Sequence, residues 1–219
     1  MMSPDPPTRR RLRRAAIAFS GMLFGMTIAA SPSIAKMTEI LAFGDSITAG
    51  FGLPQQEAFA ARLEAKLRAD GLAVHVVNAG NSGDTTADGL ARLDWALAEK
   101  PDAVILELGA NDALRGLDPA GVRANLDKMI EKVQASGAKV LLAGMLAPSN
   151  FGEEYQQAFN RIYPELAAAH GVALVPFVLD GVALDPQLNQ PDGLHPNERG
   201  VAVIVEYIAP YVARLIGGS

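Results

Sequence analysis

Five short apolar runs recur along the chain from residue 37 onward, and segments with helical spacing separate them. The runs are continuous rather than alternating, as expected for strands that helices cover on both faces of a parallel sheet. The pattern therefore predicts five parallel strands. They occupy residues 40–43, 74–77, 103–106, 140–143 and 172–175.

Helical spacing of apolar residues fills the intervals between these strands. Glycine follows three of the segments, at Gly71, Gly137 and Gly171, where a left-handed residue commonly ends a helix. Regular alternation of strand and helix predicts an α/β fold, a three-layer α/β/α sandwich in which ligands bind at the carboxyl ends of the strands. The predicted helices span residues 57–69, 86–99, 119–135, 154–169 and 196–216.

The first 36 residues read as an export signal. Five arginines within residues 9–14 precede an apolar run from Ala15 to Ala30, and Ser33-Ile34-Ala35 offers the small residues that a signal peptidase reads. The predicted protein is cleaved after Ala35 and is periplasmic or secreted. The run is shorter than the roughly 20 apolar residues that span a bilayer, which disfavours a permanent anchor. Translation from Met37 would instead give a cytoplasmic domain.

We interpret residues 37–219 as one domain. Its charge and composition exclude several classes of partner and of catalytic site. The chain has 219 residues, of which 49% are hydrophobic and 20% charged, enough for a single core. Residues 37–219 contain 13 basic and 23 acidic residues, a net charge of -10 that disfavours nucleic acid and anionic membranes as partners. The absence of cysteine excludes thiolate metal sites and cysteine nucleophiles.

Polar blocks stand at the predicted strand ends and before the last helix. The carboxyl ends of parallel strands meet at one edge of a sheet, so these blocks bring a hydroxyl, an imidazole, a carboxylate and an amide together. Such a set suits acyl transfer. Asp192, three residues before His195, can hold the imidazole that deprotonates Ser46. The blocks are Gly44-Asp45-Ser46, Ser82-Gly83-Asp84, Gly109-Ala110-Asn111-Asp112 and Asp192-Gly193-Leu194-His195.

An acyl-transfer site also needs donors for the oxyanion that forms on the substrate. The backbone N–H groups of Ser46 and Gly83 and the side-chain amide of Asn111 can supply them. Taken singly, each residue has a simpler role: Ser46 as a helix cap, Gly83 as a turn and Asn111 as a loop amide. Asp192 and His195 alone can equally be a surface ion pair.

Taken together and in this order, the four blocks resemble those of the SGNH, or GDSL, hydrolase superfamily, and the match spans residues 40–200. The sequence is most similar to the thioesterase I, lysophospholipase L1 and arylesterase branch. The resemblance implies a flavodoxin-like five-stranded sheet, with Ser46 as nucleophile, His195 as general base and Asp192 as its orienting carboxylate. It also implies that Ser46, Gly83 and Asn111 are the oxyanion donors.

Other chemistries have little support in the sequence. A phosphate-binding loop and a complete dinucleotide fingerprint are missing, so no cofactor is expected. His75 and His170 are far apart in the sequence and we interpret both as structural, so no metal is expected. The Gly-x-Ser-x-Gly elbow of ordinary α/β-hydrolases is absent around Ser46 and around Ser82.

Apolar residues after the third and fourth strands predict the substrate. In a flavodoxin-like strand order, Leu114, Met145, Leu146 and Phe151 flank Ser46 as an apolar groove, although Met145 and Leu146 equally fit the end of a buried strand. The groove favours aryl esters and medium-chain acyl esters or thioesters, lysophospholipids among them. Two alternatives stay open: a carbohydrate O-deacetylase with the same mechanism, and a non-catalytic exported acyl-binding domain.

Overall fold

The computed structural model describes residues 1–2 and 37–217, so the predicted export signal lies almost entirely outside the described residues. From Met37 onward the chain forms a five-stranded sheet, in which all neighbouring strands are parallel and the order is β2-β1-β3-β4-β5. This strand order is flavodoxin-like, as predicted. The strands are β1 (Thr38–Gly44), β2 (Val74–Gly80), β3 (Ala103–Glu107), β4 (Lys139–Ala143) and β5 (Ala173–Val175).

Two groups of helices cover the sheet. Helix α2 packs against α8, whereas α5 packs against both α3 and α7. Since connections between parallel strands are right-handed in nearly all proteins, this strand order puts the helix that follows β1 on one face and the helices of the later crossovers on the other. The helix contacts agree with that arrangement, which gives the predicted three layers. The helices are α1 (Ser46–Ala49), α2 (Phe59–Ala69), α3 (Thr86–Leu97), α4 (Ala110–Leu114), α5 (Pro119–Ala135), α6 (Glu153–Asn160), α7 (Ile162–His170) and α8 (Glu198–Gly217).

Burial separates the central strands from the edge strands. Every residue of β3 is buried, as are the last five residues of β1 and the last four of β4. At the edge, β2 begins with buried and exposed residues in alternation, and β5 has only three residues. The prediction that all five strands are covered on both faces is therefore wrong for β2, where His75 is exposed and pairs with Glu39.

The predicted helix over residues 154–169 is two helices, α6 and α7, which meet at Arg161. Pro164 lies in the first turn of α7. Proline has no N–H to donate to the carbonyl four residues earlier, here that of Asn160, and its ring crowds that carbonyl. Because the apolar spacing continues across the break, periodicity alone did not reveal it.

The last helix begins at Glu198 rather than at Pro196. The side chain of Asn197 accepts hydrogen bonds from the N–H groups of Arg199 and Gly200, at 2.9 and 3.1 Å, and so caps the helix. Pro196 instead pairs with Asn189 in an isolated antiparallel bridge. The residues just before α8 therefore belong to a loop with its own hydrogen bonds.

Among the described residues, α8 is the one helix whose length and composition would suit a membrane span. Its apolar face is nevertheless buried inside the domain, with Val201, Ile204, Ile208 and Val212 at helical spacing. This face packs against α2 and β4. We therefore describe α8 as a core helix of the sandwich.

Candidate active site

Ser46 is the first residue of α1, directly after the end of β1. The carboxylate of Asp45 caps this helix by accepting a hydrogen bond from the N–H of Ile47 at 3.1 Å. Gly50 ends the helix in the left-handed region, at φ 77°. Periodicity did not predict α1, because four residues make only one turn and carry no repeating apolar spacing.

Ser46, His195 and Asp192 form one hydrogen-bonded chain. His195 Nε2 lies 2.9 Å from Ser46 Oγ, and His195 Nδ1 lies 2.7 Å from Asp192 Oδ2. If Nδ1 carries the proton that Asp192 accepts, Nε2 presents its lone pair to the serine hydroxyl. The three residues thus have the arrangement of a nucleophile, a general base and an orienting carboxylate.

Asp192 is held by the turn that it starts. Its Oδ1 accepts the backbone N–H groups of Leu194 and His195, at 2.9 and 3.0 Å. The N–H of His195, then its imidazole and the N–H of Leu194, lower the pKa of Asp192 to about 2. The carboxylate is therefore ionised throughout the neutral range. Its side chain is 38% exposed, and contact with water also favours the charged form.

Two residues that sequence reasoning missed support His195. The ring of Phe51 lies 4.5 Å from the imidazole, centroid to centroid. The side-chain amide of Gln190 donates to the carbonyls of Phe51 and Pro196, at 2.7 and 3.0 Å. Gln190 thus fastens the loop before α8 to the turn after α1. Neither residue belongs to a recognisable motif, and only the three-dimensional contact identifies them.

Of the three predicted oxyanion donors, Asn111 lies in the second position of α4. Its Nδ2 donates to the carbonyl of Asp84 at 3.0 Å and to Asp45 Oδ2 at 3.2 Å. Within the described residues, the backbone N–H groups of Ser46 and Gly83 donate no hydrogen bond, which leaves them free for a substrate. Both backbone donors and one amide are thus present around the end of β1.

Gly83 occupies the loop between β2 and α3, at φ 90°, a value that glycine adopts without strain. Its carbonyl accepts a hydrogen bond from Arg115 Nη2 at 2.9 Å, which links this loop to the end of α4. Gly83 does not line the cavity that contains Ser46 and Asn111.

Two further acids lie beneath α1. Glu107, at the end of β3, accepts hydrogen bonds at Oε2 from the hydroxyl of Thr48 at 2.6 Å and from its N–H at 3.2 Å. Burial, and then the charge of Asp45, raise the pKa of Glu107 well above its usual range. Burial likewise raises the pKa of Asp45, to about 6. Burial therefore disfavours the charged form of both acids.

An apolar cavity of about 380 Å³ opens beside Ser46 and His195. The predicted residues Leu114, Met145 and Leu146 line it, with Met145 buried and the two leucines about half exposed. The loop after β5 supplies a second wall, which the sequence did not reveal because this loop has no periodicity. The apolar residues of that wall are Phe177, Leu179, Ala183 and Leu184, with Leu194 beside His195.

Phe151 does not line this cavity, contrary to prediction. It lies in a 3₁₀ turn, Ser149–Phe151, and its ring packs 5.3 Å from that of Tyr155 and against Gly116. The turn directs Phe151 toward the loop after α4. The apolar residues after β4 therefore divide between the cavity and a neighbouring cluster, and their spacing in the sequence did not distinguish the two.

A larger cavity, of about 770 Å³, lies near the start of β1 and β4, at the opposite edge of the sheet. Thr38, Lys100, Asp102 and Lys139 contribute to its lining. It contains none of Ser46, Asp192 and His195. The smaller cavity is therefore the candidate site, because its walls include the hydrogen-bonded serine and histidine.

Comparison with known proteins agrees with this geometry. Residues 42–203 match the GDSL-like Lipase/Acylhydrolase family. The chain is 41% identical over 189 residues to the arylesterase of Vibrio mimicus, covering 86% of this chain and 93% of the relative. It is 39% identical over 178 residues to thioesterase 1/protease 1/lysophospholipase L1 of Escherichia coli K12, covering 81% and 84%.

The fold is also similar to that of a crystal structure of TesA. The two superpose with a TM-score of 0.78 at 45% sequence identity, over 81% of this chain and 99% of TesA. The family match includes all four polar blocks, from Gly44 to His195, and the parallel five-stranded sheet agrees with it. The chain therefore belongs to the GDSL-like lipase/acylhydrolase family, and it is a serine ester hydrolase.

Proposed function

We propose that Ser46 is the nucleophile of this hydrolase, that His195 is its general base and acid, and that Asp192 holds the imidazole. The observation that carries the proposal is the continuous chain of hydrogen bonds, 2.9 Å from Ser46 to His195 and 2.7 Å from His195 to Asp192. These distances allow direct proton transfer from the serine hydroxyl to Nε2. The ionised Asp192 stabilises the imidazolium that results.

The reaction proceeds through an acyl-enzyme. Ser46 Oγ bonds to the acyl carbonyl carbon while its proton moves to His195, and the tetrahedral intermediate then expels the alcohol or thiol, which takes that proton. In the second half, His195 deprotonates a water molecule that attacks the acyl carbon. Cleavage of the acyl–Ser46 bond releases the carboxylic acid and returns the proton to the serine.

The oxyanion of both tetrahedral intermediates needs donors that are in place before the reaction. We assign this role to the backbone N–H groups of Ser46 and Gly83 and to the side chain of Asn111. The two N–H groups make no competing hydrogen bond among the described residues. The amide of Asn111 has two hydrogens and two present acceptors, so the oxyanion takes over one of these hydrogens.

The cavity favours an apolar acyl or aryl group. No lysine or arginine is among its lining residues, so it offers no cation for an obligatory phosphate or carboxylate on the substrate. Aryl esters and medium-chain acyl esters or thioesters, including lysophospholipids, fit these walls. The names of the two relatives, arylesterase and thioesterase 1/protease 1/lysophospholipase L1, support this substrate class. Export through the N-terminal segment, with action in the periplasm or outside the cell, completes the proposal.

One structural observation argues against each of the two alternatives, the carbohydrate O-deacetylase and the non-catalytic acyl-binding domain. A carbohydrate O-deacetylase would bind a hydroxyl-rich sugar, and the apolar cavity walls offer few polar partners for one. A non-catalytic binding domain has no need for an imidazole hydrogen-bonded to a serine. The geometry therefore favours catalysis on apolar acyl groups over either alternative.

Replacement of Ser46 by alanine tests the nucleophile. With p-nitrophenyl esters we expect kcat to fall by about 10⁴-fold or more, because loss of the nucleophile disables the whole triad. Ser82→Ala is the matched control, since Ser82 belongs to a neighbouring block but does not line the cavity that contains Ser46 and His195, and it should retain activity. Undiminished turnover by Ser46→Ala would contradict the assignment.

A substrate series tests the acyl group. We expect kcat/KM to rise from acetyl to medium-chain oxygen esters and thioesters, because each buried methylene contributes about 0.8 kcal/mol. Acetylated xylan should be a poor substrate. A clear preference for acetyl-xylan over C6 to C12 esters would favour the deacetylase, and no turnover of any ester would favour the binding domain.

A further inference from the structure

Asp45 lies between the nucleophile and one predicted oxyanion donor. Its side chain is fully buried, and each carboxylate oxygen has a separate partner. Oδ1 accepts the N–H of Ile47 at 3.1 Å, and Oδ2 accepts Asn111 Nδ2 at 3.2 Å. The same carboxylate therefore contacts the helix that carries Ser46 and the amide that would stabilise the oxyanion.

The contact determines which way the Asn111 amide faces. Nδ2 lies against two acceptors, Asp45 Oδ2 and the carbonyl of Asp84. A rotation of the amide by 180° would place Asn111 Oδ1 against both acceptors, with no hydrogen between them. As long as Asp45 is an acceptor, the orientation with the nitrogen toward this side is strongly favoured.

We propose that Asp45 is a positioning residue: its carboxylate fixes the side-chain amide of Asn111 in the orientation that makes the nitrogen an oxyanion donor. The inference rests on the proposed roles of Ser46 and Asn111 and adds a residue that acts through Asn111. Asp45 contacts no substrate itself. Its effect is therefore on the rate of the chemical step rather than on substrate binding.

Protonation of Asp45 weakens this control. A neutral carboxyl group can donate to Asn111 Oδ1, so the rotated amide, whose oxygen would repel an oxyanion, becomes accessible. The charged groups around Asp45 are Glu107 on β3, Asp112 on α4, the imidazole of His195 and the guanidinium of Arg92, which donates to the adjacent carbonyl of Gly44 at 2.8 Å. Tyr163, on α7, is a further titratable neighbour.

Burial is the main reason that the pKa of Asp45 lies above the usual range for an aspartate. It raises the pKa of Asp45 to about 6, against the lowering effects of the Ile47 N–H, His195 and Asn111. Burial, and then the charge of Asp45, raise the pKa of Glu107 well above its usual range, so two charges side by side beneath α1 are disfavoured. We therefore expect protonation of Asp45 to lower kcat as the pH falls below about 6.

A double-mutant cycle separates action through Asn111 from a merely structural role. Asp45→Asn keeps an oxygen for the N–H of Ile47 but turns its NH₂ group toward Asn111, donor against donor. We expect kcat on a p-nitrophenyl ester to fall by about 10- to 1,000-fold, approaching the loss of one oxyanion donor, with KM changed less than about threefold. In the Asn111→Ala background, Asp45→Asn should lower kcat by less than about twofold further.

Glu107→Gln is the matched control, because it also replaces a buried acid beside α1 but makes no contact with the Asn111 amide. Whatever its own effect on kcat, that effect should be the same with and without Asn111→Ala. An equal loss from Asp45→Asn in both backgrounds, or a loss confined to KM, would overturn the proposal. Ser46→Ala, run alongside, separates failure of this inference from failure of the proposed nucleophile.

The acid limb of the pH profile tests the same idea without altering Asp45, and so does not depend on folding of the Asp45→Asn variant. In the unmodified protein, the logarithm of kcat should fall more steeply below about pH 6 than in Asn111→Ala, because protonation of Asp45 releases an amide that only the unmodified protein has. Acid effects that do not act through Asn111 are common to both proteins and cancel in the comparison of their slopes. Identical slopes in the two proteins would refute the role of Asp45.

Discussion

The active site has two halves of different physical character. The inner half comprises Asp45, Ser46, Glu107 and Asn111, at the ends of β1 and β3, and its two acids are at most 1% exposed. The outer half comprises residues 177–197, the loop between β5 and α8, and its acid, Asp192, has a side chain that is 38% exposed. One half is part of the core, and the other is a surface loop fastened to it.

The two halves move the pKa of an aspartate in opposite directions. Burial raises the pKa of Asp45 to about 6, whereas hydrogen bonds from His195 and Leu194 lower the pKa of Asp192 to about 2. The inner half therefore depends on packing for its geometry, and the outer half on local hydrogen bonds. We expect inner substitutions to change stability as well as activity, and outer ones to change activity almost alone.

Asp192→Asn tests the outer half and has the largest expected effect. The amide keeps an oxygen for the N–H groups of Leu194 and His195 but no longer stabilises the imidazolium, so kcat should fall by about 10²- to 10⁴-fold. The free energy of unfolding at pH 7 should change little. Asp185→Asn is the control: Asp185 forms a similar turn in the same loop, at 2.8 Å from the N–H of Gln187, away from His195. A large loss of stability in Asp192→Asn would show that the outer half also depends on packing.

Gly44→Ala tests the inner half through its packing. A Cβ at this position would overlap the hydroxyl of Thr48 and the side chain and carbonyl of Glu107. We expect the free energy of unfolding to fall by about 3 kcal/mol, measured by denaturant titration, because the strand ends cannot separate without moving α1. Gly121→Ala, in α5 with open space around it, is the control and should not destabilise. Equal stability of the two variants would contradict the close packing beneath α1.

Glu107→Gln tests whether a buried acid of the inner half makes the stability of the protein depend on pH. The folded-state pKa of Glu107 is raised by burial, so the folded protein retains a proton that the unfolded chain has lost. Stability contributed by this proton is present below the unfolded pKa and is lost as pH rises toward the folded pKa. Relative to the unmodified protein, Glu107→Gln should therefore gain stability from pH 5 to pH 8. Glu131→Gln, on the exposed face of α5, should show no such trend.

Leu184→Asn gives the smallest effect and probes the outer wall of the cavity. Leu184 is 87% exposed and adopts a left-handed conformation, at φ 66°, which asparagine tolerates better than leucine. Stability should therefore stay within about 0.5 kcal/mol. We expect kcat/KM for C8 to C12 esters to fall by about fivefold, and that for acetyl esters to stay within about twofold, because only a long chain covers this leucine. Val203, an exposed apolar residue on α8, provides the control. Val203→Asn should leave kcat/KM unchanged both for C8 to C12 esters and for acetyl esters.

The fold was accessible from the sequence because its strands and long helices carry repeating patterns. The five-stranded parallel α/β architecture is confirmed. The details that failed depend on single residues or on distant contacts. Pro164 divides α6 from α7, and Asn197 rather than Pro196 begins α8. Phe151 faces Tyr155 instead of the cavity, since a short turn decides its direction.

The candidate site shows the same division. Its motif residues, Ser46, Asp192 and His195, were named from short sequence blocks that resemble those of the SGNH hydrolase superfamily, and the structure places them within hydrogen-bonding distance. Phe51 and Gln190 were not named, because they support His195 only through contacts across the fold. The wall formed by the loop after β5 was also missed, since nothing in its sequence indicates which side chains face Ser46.

Residues along the chain were enough to predict the succession of strands and helices and the chemical groups of the site, because periodicity and motifs are local properties of a chain. Which groups are buried, which way the amide of Asn111 faces, and why Asp45 and Asp192 differ in acidity became visible in the folded protein alone. Those properties depend on desolvation and on hydrogen bonds between residues far apart in the chain, such as Asp45 and Asn111, which are separated by 66 positions. The sequence identifies the catalytic groups, whereas the fold sets their pKa values and their orientation.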